Sequence, residues 1–258
     1  MGILNVTPDS FSDGGVFISK EANRRQVEQM IADGVDIIDV GGESTRPFAD
    51  PVPAQEELNR VIPVIKSIRK ISSTIPVSID TTKAFVAGAA LDAGATMVND
   101  ISALRRDPEM IEVITGYDGP VIIMHMQGTP GDMQVKPHYE DVVAEICVFF
   151  KERIAWMEDR GIARDRIIID PGIGFGKTLD HNLTILRNIG SFKKLGHPVL
   201  IGHSRKSFFD TLLQIPVQQR DCPTAIVSAL CTQQEADILR VHDVAKTVVA
   251  VRLVEALS

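Results

Sequence analysis

Aromatic residues are scarce in this chain: 10 Phe, 2 Tyr and 1 Trp among 258 residues, or 5%. Basic residues are also short, 27 Lys and Arg against 34 Asp and Glu, for a formal net charge of -7 and a pI near 5.4. A nucleic-acid binder needs a basic stripe or stacking rings, so that class is excluded. An anionic ligand has to be met by locally placed cations, against the overall field. Cysteine is nearly absent. Cys147, Cys222 and Cys231 are odd in number and have no CxxC spacing, which excludes a disulfide frame or a zinc site. They are expected as buried thiols in a reducing cytoplasm. No apolar run reaches the roughly 18 residues of a membrane span. The start, Met1 to Thr7, lacks the basic residues and long apolar stretch of a signal peptide, and Val6 stands where myristoylation needs Ser or Thr. The expectation is a cytoplasmic protein with no membrane partner. The sequons at Asn5 and Asn182 then carry no meaning.

What the chain has is alternation. Short apolar runs lie at Gly2–Asn5, Ile37–Val40, Val77–Asp80, Met97–Asp100, Val121–His125, Ile167–Asp170, Pro198–Gly202 and Ile238–Val241. Helical patterns follow them at about Glu21–Asp33, Ala54–Ser72 (bent or interrupted at Pro63), Lys83–Ala93, Pro108–Thr115, Tyr139–Arg160, His181–Phe192, Pro223–Gln234 and Asp243–Ala256, with a further segment after Arg205. The apolar runs are almost free of polar interruption, as suits strands buried on both faces of a parallel sheet. Eight strand–helix units in 258 residues match a single (β/α)8 TIM barrel, which takes about 250. Weak repeats of helix end, glycine, strand and polar residue, as in Asp33-Gly34 and Ala93-Gly94, support it. An open doubly wound sheet is the competing architecture. No composition shift marks a second domain, so one domain over residues 1–258 is expected.

Each apolar run ends in a polar residue: Asn5, Asp39, Asp80, Asn99 with Asp100, His125, Asp170, Ser204 past Gly202, and Arg240 with His242. In a barrel those ends share one face and converge on the mouth. Asp39 and Asp100 read equally well as local caps. The loops Val6–Lys20 and Gly41–Pro53 are long for this fold, as functional loops are. Two near-matches fail. Pro171 stands where a P-loop needs its first Gly, and the six histidines show no HExxH pair. His138, His181 and His197 read as surface residues, and Ser204 has no nucleophile elbow.

The mouth would carry both signs. Asp80, Asn99 and Asp170 suit a flat heterocycle with an amidine-like edge, because N–H donors fork onto carboxylate oxygens. Arg46, Lys206, Arg240 and His242 suit a phosphate or pyrophosphate. Asn5 could help hold Mg²⁺, which shares oxygen ligands with substrate phosphates. That division points to a transferase with a pyrophosphate leaving group and does not name the substrate.

At these residues the sequence resembles the dihydropteroate synthases. Gly2 to Gly15 is similar to the family's opening signature, and Gly42-Glu43-Ser44-Thr45-Arg46-Pro47 to its second loop. Ser78 to Thr81, Asn99-Asp100-Ile101, Met124 to Gly128, Asp170 to Lys177, Ser204-Arg205-Lys206-Ser207 and Arg240 to Asp243 complete eight motifs in register. The resemblance implies condensation of 6-hydroxymethyl-7,8-dihydropterin diphosphate with 4-aminobenzoate, with loss of pyrophosphate. It implies that Asp80, Asn99, Asp170 and Lys206 hold the pterin, with Ile101, Met124, Phe175 and Gly202 shaping its slot. Asn5, Thr45, Arg46, Arg240 and His242 would bind the diphosphate and its Mg²⁺. Phe11, Thr45, Pro47, Phe175, Ser204 and Lys206 would border the aminobenzoate. A homodimer is expected from the family, and a segment ahead of Met1 as well.

Catalytic roles fall on Asp80, Asp170, Lys206 and Arg240: the carboxylates stabilise positive charge on the pterin as the C–O bond breaks, and the cations stabilise the leaving group. Met124 and Phe175 could also be ordinary core, and Lys177 a solvated loop charge. One departure stands out. Phe48 occupies a position that is usually Gly in the family, and altered affinity for aminobenzoate or sulfonamides is expected; Phe48→Gly would leave both constants unchanged if the idea is wrong. Two other readings stay open: a pterin-binding methyltransferase-type barrel, and a non-catalytic pterin-binding paralogue. Arg46 and Lys206 speak against the first, and the full cation set against the second.

Overall fold

A computed structural model describes residues 1–6, 16–44, 51–129 and 131–257, without the side chains of residues 16–20. Strands β1 (Gly2–Asn5), β2 (Ile38–Gly41), β3 (Val77–Asp80), β4 (Met97–Asp100), β5 (Val121–Met124) and β6 (Ile167–Asp170) form one parallel sheet in sequence order. β7 (Leu200–Ile201) and β8 (Ile238–Leu239) pair in parallel beside it. Parallel bridges Ile169↔Val199 and Gly2↔Val241 join this pair to β6 on one side and to β1 on the other. The ring closes, and the open-sheet alternative falls. β7 and β8 are shorter than expected because only two residues of each pair with the other as a ladder, while Val199 and Val241 make single bridges to β6 and β1.

Helices fill the connections: α1 (Val16–Ala32), α2 (Ala54–Ile71), α3 (Ala84–Asp92), α4 (Met110–Thr115), α5 (Val142–Glu158), α6 (Leu179–Arg187), α7 (Ile189–Lys193), α8 (Phe208–Leu213), α9 (Asp221–Gln233) and α10 (Val244–Leu257). Helix α2 runs through Pro63 without the interruption weighed for it; Pro63 is exposed, so water can serve the carbonyl that its missing N–H leaves unpaired. The helix expected over His181–Phe192 is two helices that meet at Asn188. His181 is structural rather than merely exposed, since it completes a capping box with Thr178 at the start of α6.

Side-chain parity organises the core. Leu4, Ile38, Val40, Val77, Ile79, Val98, Val121, Ile123, Ile167, Ile169, Val199, Ile201, Leu239 and Val241 point outward and pack under the helices in one cluster. Met1, Met97, Ile122, Ile168 and Leu200, with Ile37 and Ile238 against them, form a separate cluster inside the barrel. Each such side chain contributes about 1.5–3 kcal/mol when fully buried. A strand's period is two, so the residue two places beyond each inward apolar one also points inward, nearer the mouth. Those residues build the site.

Candidate active site

Arg240 occupies the centre of the mouth, two residues beyond Ile238. Its Nε donates to Asp39 Oδ2 at 2.6 Å and its Nη2 to Asp80 Oδ2 at 2.6 Å. Asn99 Nδ2 donates to the same Asp39 oxygen at 3.3 Å. Residues from β2, β3 and β4 and the end of β8 therefore meet in one cluster, 201 positions apart at the extreme. Burial pushes the Asp80 carboxyl up to about 7; Arg240 opposes the shift, and Asp39, Glu57 and Asp100 add to it. Burial works against the Arg240 charge, but Asp39 and Asp80 outweigh it and hold the guanidinium firmly protonated. Asp39 is 0% exposed. The cap reading fails for it: it is the buried counter-ion beneath the site. For Asp100 the cap reading holds, since its oxygens accept from Ser102 N (2.7 Å) and Leu104 N (2.9 Å).

Across the mouth, Asp170 Oδ1 accepts from Gly172 N at 2.8 Å. A Cβ on Gly202 would lie 3.6 Å from Asp170 Oδ2, so the glycine keeps space open over the carboxylate. Burial raises the Asp170 carboxyl above its usual range. Lys206 sits past β7 with its Nζ 3.9 Å from the centre of the Phe175 ring. Burial lowers its amine to about 7, with Asp170 pulling the other way. Phe175, Met124, Ile101, Met126 and Met133 form their own apolar cluster, apart from the main core. Met124 and Phe175 are thus a wall of the mouth rather than general packing.

At the rim, Ser204 Oγ lies 2.9 Å from His242 Nδ1 and accepts from His242 N at 3.1 Å. Burial lowers the His242 ring to about 4, with Arg205 and Arg240 adding, so it is a neutral hydrogen-bonding partner at pH 7. Asn5 ends β1 and is exposed. A Cβ on the neighbouring Gly41 would lie 3.7 Å from both Asn5 Oδ1 and Asp80 Oδ2. These distances put Asn5 beside the acidic half of the mouth. Among the described residues no three His, Cys, Asp or Glu side chains gather as a metal cage. Such a site suits Mg²⁺ arriving with a phosphate ligand, because Mg²⁺ keeps several waters and needs few protein oxygens. Phe11, Thr45, Arg46, Pro47 and Phe48 lie outside the described residues, as do parts of both long loops.

Other expectations change. Lys177 is no solvated charge; it is 3% exposed and bonded to His125 and Phe175. His197 is buried, with Nδ1 3.1 Å from Ile167 O, and Cys222 is exposed rather than buried. The Pro171–Thr178 segment does not form a phosphate cradle: the N–H groups of Gly172, Gly174 and Phe175 are bonded to Asp170, Asn182 and Gly172. The sequence signal for Asp39 was present, a lone acid at an inward parity of an apolar strand. That for Lys177 was not, since nothing local distinguishes it from a surface lysine.

A family model described as "Pterin binding enzyme" matches residues 1–242. The chain is 46% identical over 247 residues to a dihydropteroate synthase of Haemophilus influenzae, covering 96% of this chain and 89% of that one. Among solved structures, the Yersinia pestis dihydropteroate synthase with a sulfonamide drug complex superposes with a TM-score of 0.94 at 42% identity, covering 100% of this chain and 93% of that one. The Xanthomonas albilineans dihydropteroate synthase with 4-aminobenzoic acid gives 0.92 at 45% identity, covering 100% and 92%.

Proposed function

Because the chain belongs to the pterin-binding enzyme family, among its dihydropteroate synthases, we propose how its own side chains perform the condensation. The enzyme is a transferase of folate biosynthesis. It joins 6-hydroxymethyl-7,8-dihydropterin diphosphate to 4-aminobenzoate, giving 7,8-dihydropteroate and pyrophosphate. The observation that carries the residue assignment is the Asp39–Arg240–Asp80 chain beside Asn99, with Asp170 and Lys206 opposite.

In this reading Asp80 and Asp170 accept the N–H donors of the pterin's amidine-like edge, and Asn99 and Lys206 meet its remaining polar atoms. The ring lies against Ile101, Met124 and Phe175. As the C–O bond breaks, positive charge spreads over the ring, and two buried carboxylates stabilise it strongly because water is excluded. Arg240, His242 and Arg46 bind the departing pyrophosphate, Arg240 as a fixed charge and His242 as a neutral donor. Asn5 would hold Mg²⁺, which when bound supplies charge neutralisation at the diphosphate. Ser204, Phe11, Thr45 and Pro47 border the aminobenzoate, whose amine is nucleophilic without a strong base. No residue needs to remove a proton before attack; the proton is lost afterwards.

Residues 1–258 act as one domain in this reading. The chain pairs as a homodimer: α9 exposes Ile226 and Leu230, and α10, packed on it, exposes Val249, Leu253 and Leu257, an apolar strip suited to a second copy. Analytical ultracentrifugation that finds only monomer at micromolar concentration would remove that part. No helix among the described residues is long and apolar enough to cross a membrane. Three free thiols support a cytoplasmic location, where a reducing environment keeps them unpaired. The test of the activity is pyrophosphate release from the pterin diphosphate with and without 4-aminobenzoate. Release coupled to the amine is expected; release that never couples favours the methyltransferase-type or non-catalytic reading.

A further inference from the structure

Among the described lysines, Lys177 alone is buried, and none of the assigned contacts with substrate uses it. Its Nζ donates to Phe175 O at 2.8 Å and His125 O at 3.3 Å, and lies 3.1 Å from His125 Nδ1. An ammonium has three N–H bonds, and here three acceptors meet them. Burial lowers the Lys177 amine to about 7, and whenever it is protonated Nδ1 of His125 serves as its acceptor. The His125 ring is itself held, edge-on to Phe149 at 4.9 Å and tilted against Tyr139 at 6.0 Å.

The place of this pin matters more than its bonds. His125 is flanked by Met124 and Met126, which belong to the apolar wall of the mouth. Phe175 belongs to the same wall but comes from the loop after β6. Lys177 therefore ties the two halves of the wall together from behind. The loop is pressed close: a Cβ on Gly172, at φ +74°, would lie 2.0 Å from His125 O. In front, the Phe175 ring carries Lys206 Nζ at 3.9 Å, and a Cβ on Gly174 would come within 3.0 Å of Lys206 Cδ. A chain of direct contacts thus runs from His125 through Lys177 and Phe175 to Lys206. A methionine would fill the Lys177 space without the cost of burying an amine, so simple filling does not explain a lysine there.

We propose that Lys177 is a positioning residue for the pterin, which fixes the spacing between the Met124 and Phe175 sides of the slot and, through the Phe175 ring, the place of Lys206. This rests on the pterin reading of the mouth.

The test uses the full chain carrying Lys177→Met, His125→Leu, His125→Asn or the first two together. Four quantities are read: the dissociation constant of 6-hydroxymethylpterin, the KM of each substrate, kcat, and the thermal midpoint. Lys177→Met and His125→Leu should each weaken pterin binding about tenfold, as loss of a buried hydrogen-bonded link does. The KM for aminobenzoate should rise less than the pterin constant, because Ser204, Phe11, Thr45 and Pro47 also border that site and do not touch the pin. The double variant should be little worse than either single one, because the pin acts as one unit. His125→Asn, whose side-chain oxygen can take the Nζ bond, should restore most of the affinity. Wild-type pterin affinity in folded Lys177→Met, or in His125→Leu should Lys177→Met not fold, would overturn the proposal. A wild-type chain that binds no pterin would overturn the site reading itself.

Discussion

The lower interior of the barrel and its mouth come from the same strands, one side-chain period apart, with opposite chemistry. Below, Met1, Ile37, Met97, Ile122, Ile168, Leu200 and Ile238 meet as a dry apolar layer. Two residues further along their strands stand Asn99, Asp170, Gly202 and Arg240, joined there by Asp80. The lower layer depends on volume and would accept another apolar set of the same size. The mouth depends on which atom faces which, and a loss there leaves a buried charge or donor unpaired. Asp39 stands two residues beyond Ile37 by the same count, fully buried, and serves the mouth through Arg240 and Asn99. The comparison teaches that stability and activity are separable by depth along a strand, and it can be broken by variants at the two depths.

The largest effect is expected at Asp170. Asp170→Asn keeps the shape and one acceptor but removes the charge that faces the pterin cation, so kcat/KM should fall about 10³-fold, with the thermal midpoint kept. A variant with full turnover would contradict the assigned role. Next comes Arg240→Met, which leaves Asp39 and Asp80 without their shared counter-ion. Urea unfolding should show a loss of about 3–5 kcal/mol, unusual for the mouth because this one cation pairs two buried carboxylates. Leu200→Ala, in the lower layer, should lower stability by about 2–5 kcal/mol while kcat per folded molecule is unchanged.

A smaller effect concerns pH. The Asp80 carboxyl sits near 7 in the fold, against an ordinary value of 3.8. The folded chain therefore holds this proton more tightly than the unfolded chain. Its stabilising contribution is complete below about pH 4 and is lost as pH rises through about 7. Asp80→Asn should flatten that part of the stability curve, read as urea midpoints across the range. An unchanged slope would show that Asp80 is already ionised well below neutrality. Pterin affinity runs the other way, since the ionised carboxylate is the acceptor, and should weaken as pH falls below about 7.

Much of this was legible in the sequence, for a physical reason. Strands buried on both faces need uninterrupted apolar runs, so β1, β3, β4 and β6 coincide with their runs residue for residue. The polar residues that end those runs are conspicuous because burial makes them costly, and the structure brings Asp80, Asn99, Asp170, Lys206 and Arg240 into one mouth. Ladder length was not legible for β7 and β8, where Val199 and Val241 pair through single bridges to β6 and β1 instead of lengthening the ladder. Nor was the partner of Asp39, because Arg240 lies 201 residues away and only the closed barrel joins them. The burial of Lys177 was hidden for the same reason: its acceptors include a histidine 52 positions distant.

The central claim is that pterin recognition belongs to the mouth and not to the layer beneath it. Equilibrium titration of 6-hydroxymethylpterin into the wild type, Asp80→Asn, Asp170→Asn and Leu200→Ala tests it most directly. Each mouth variant should bind at least about thirtyfold more weakly, and the lower-layer variant within about threefold of wild type. Equal losses at both depths, or full affinity in the two mouth variants, would contradict it.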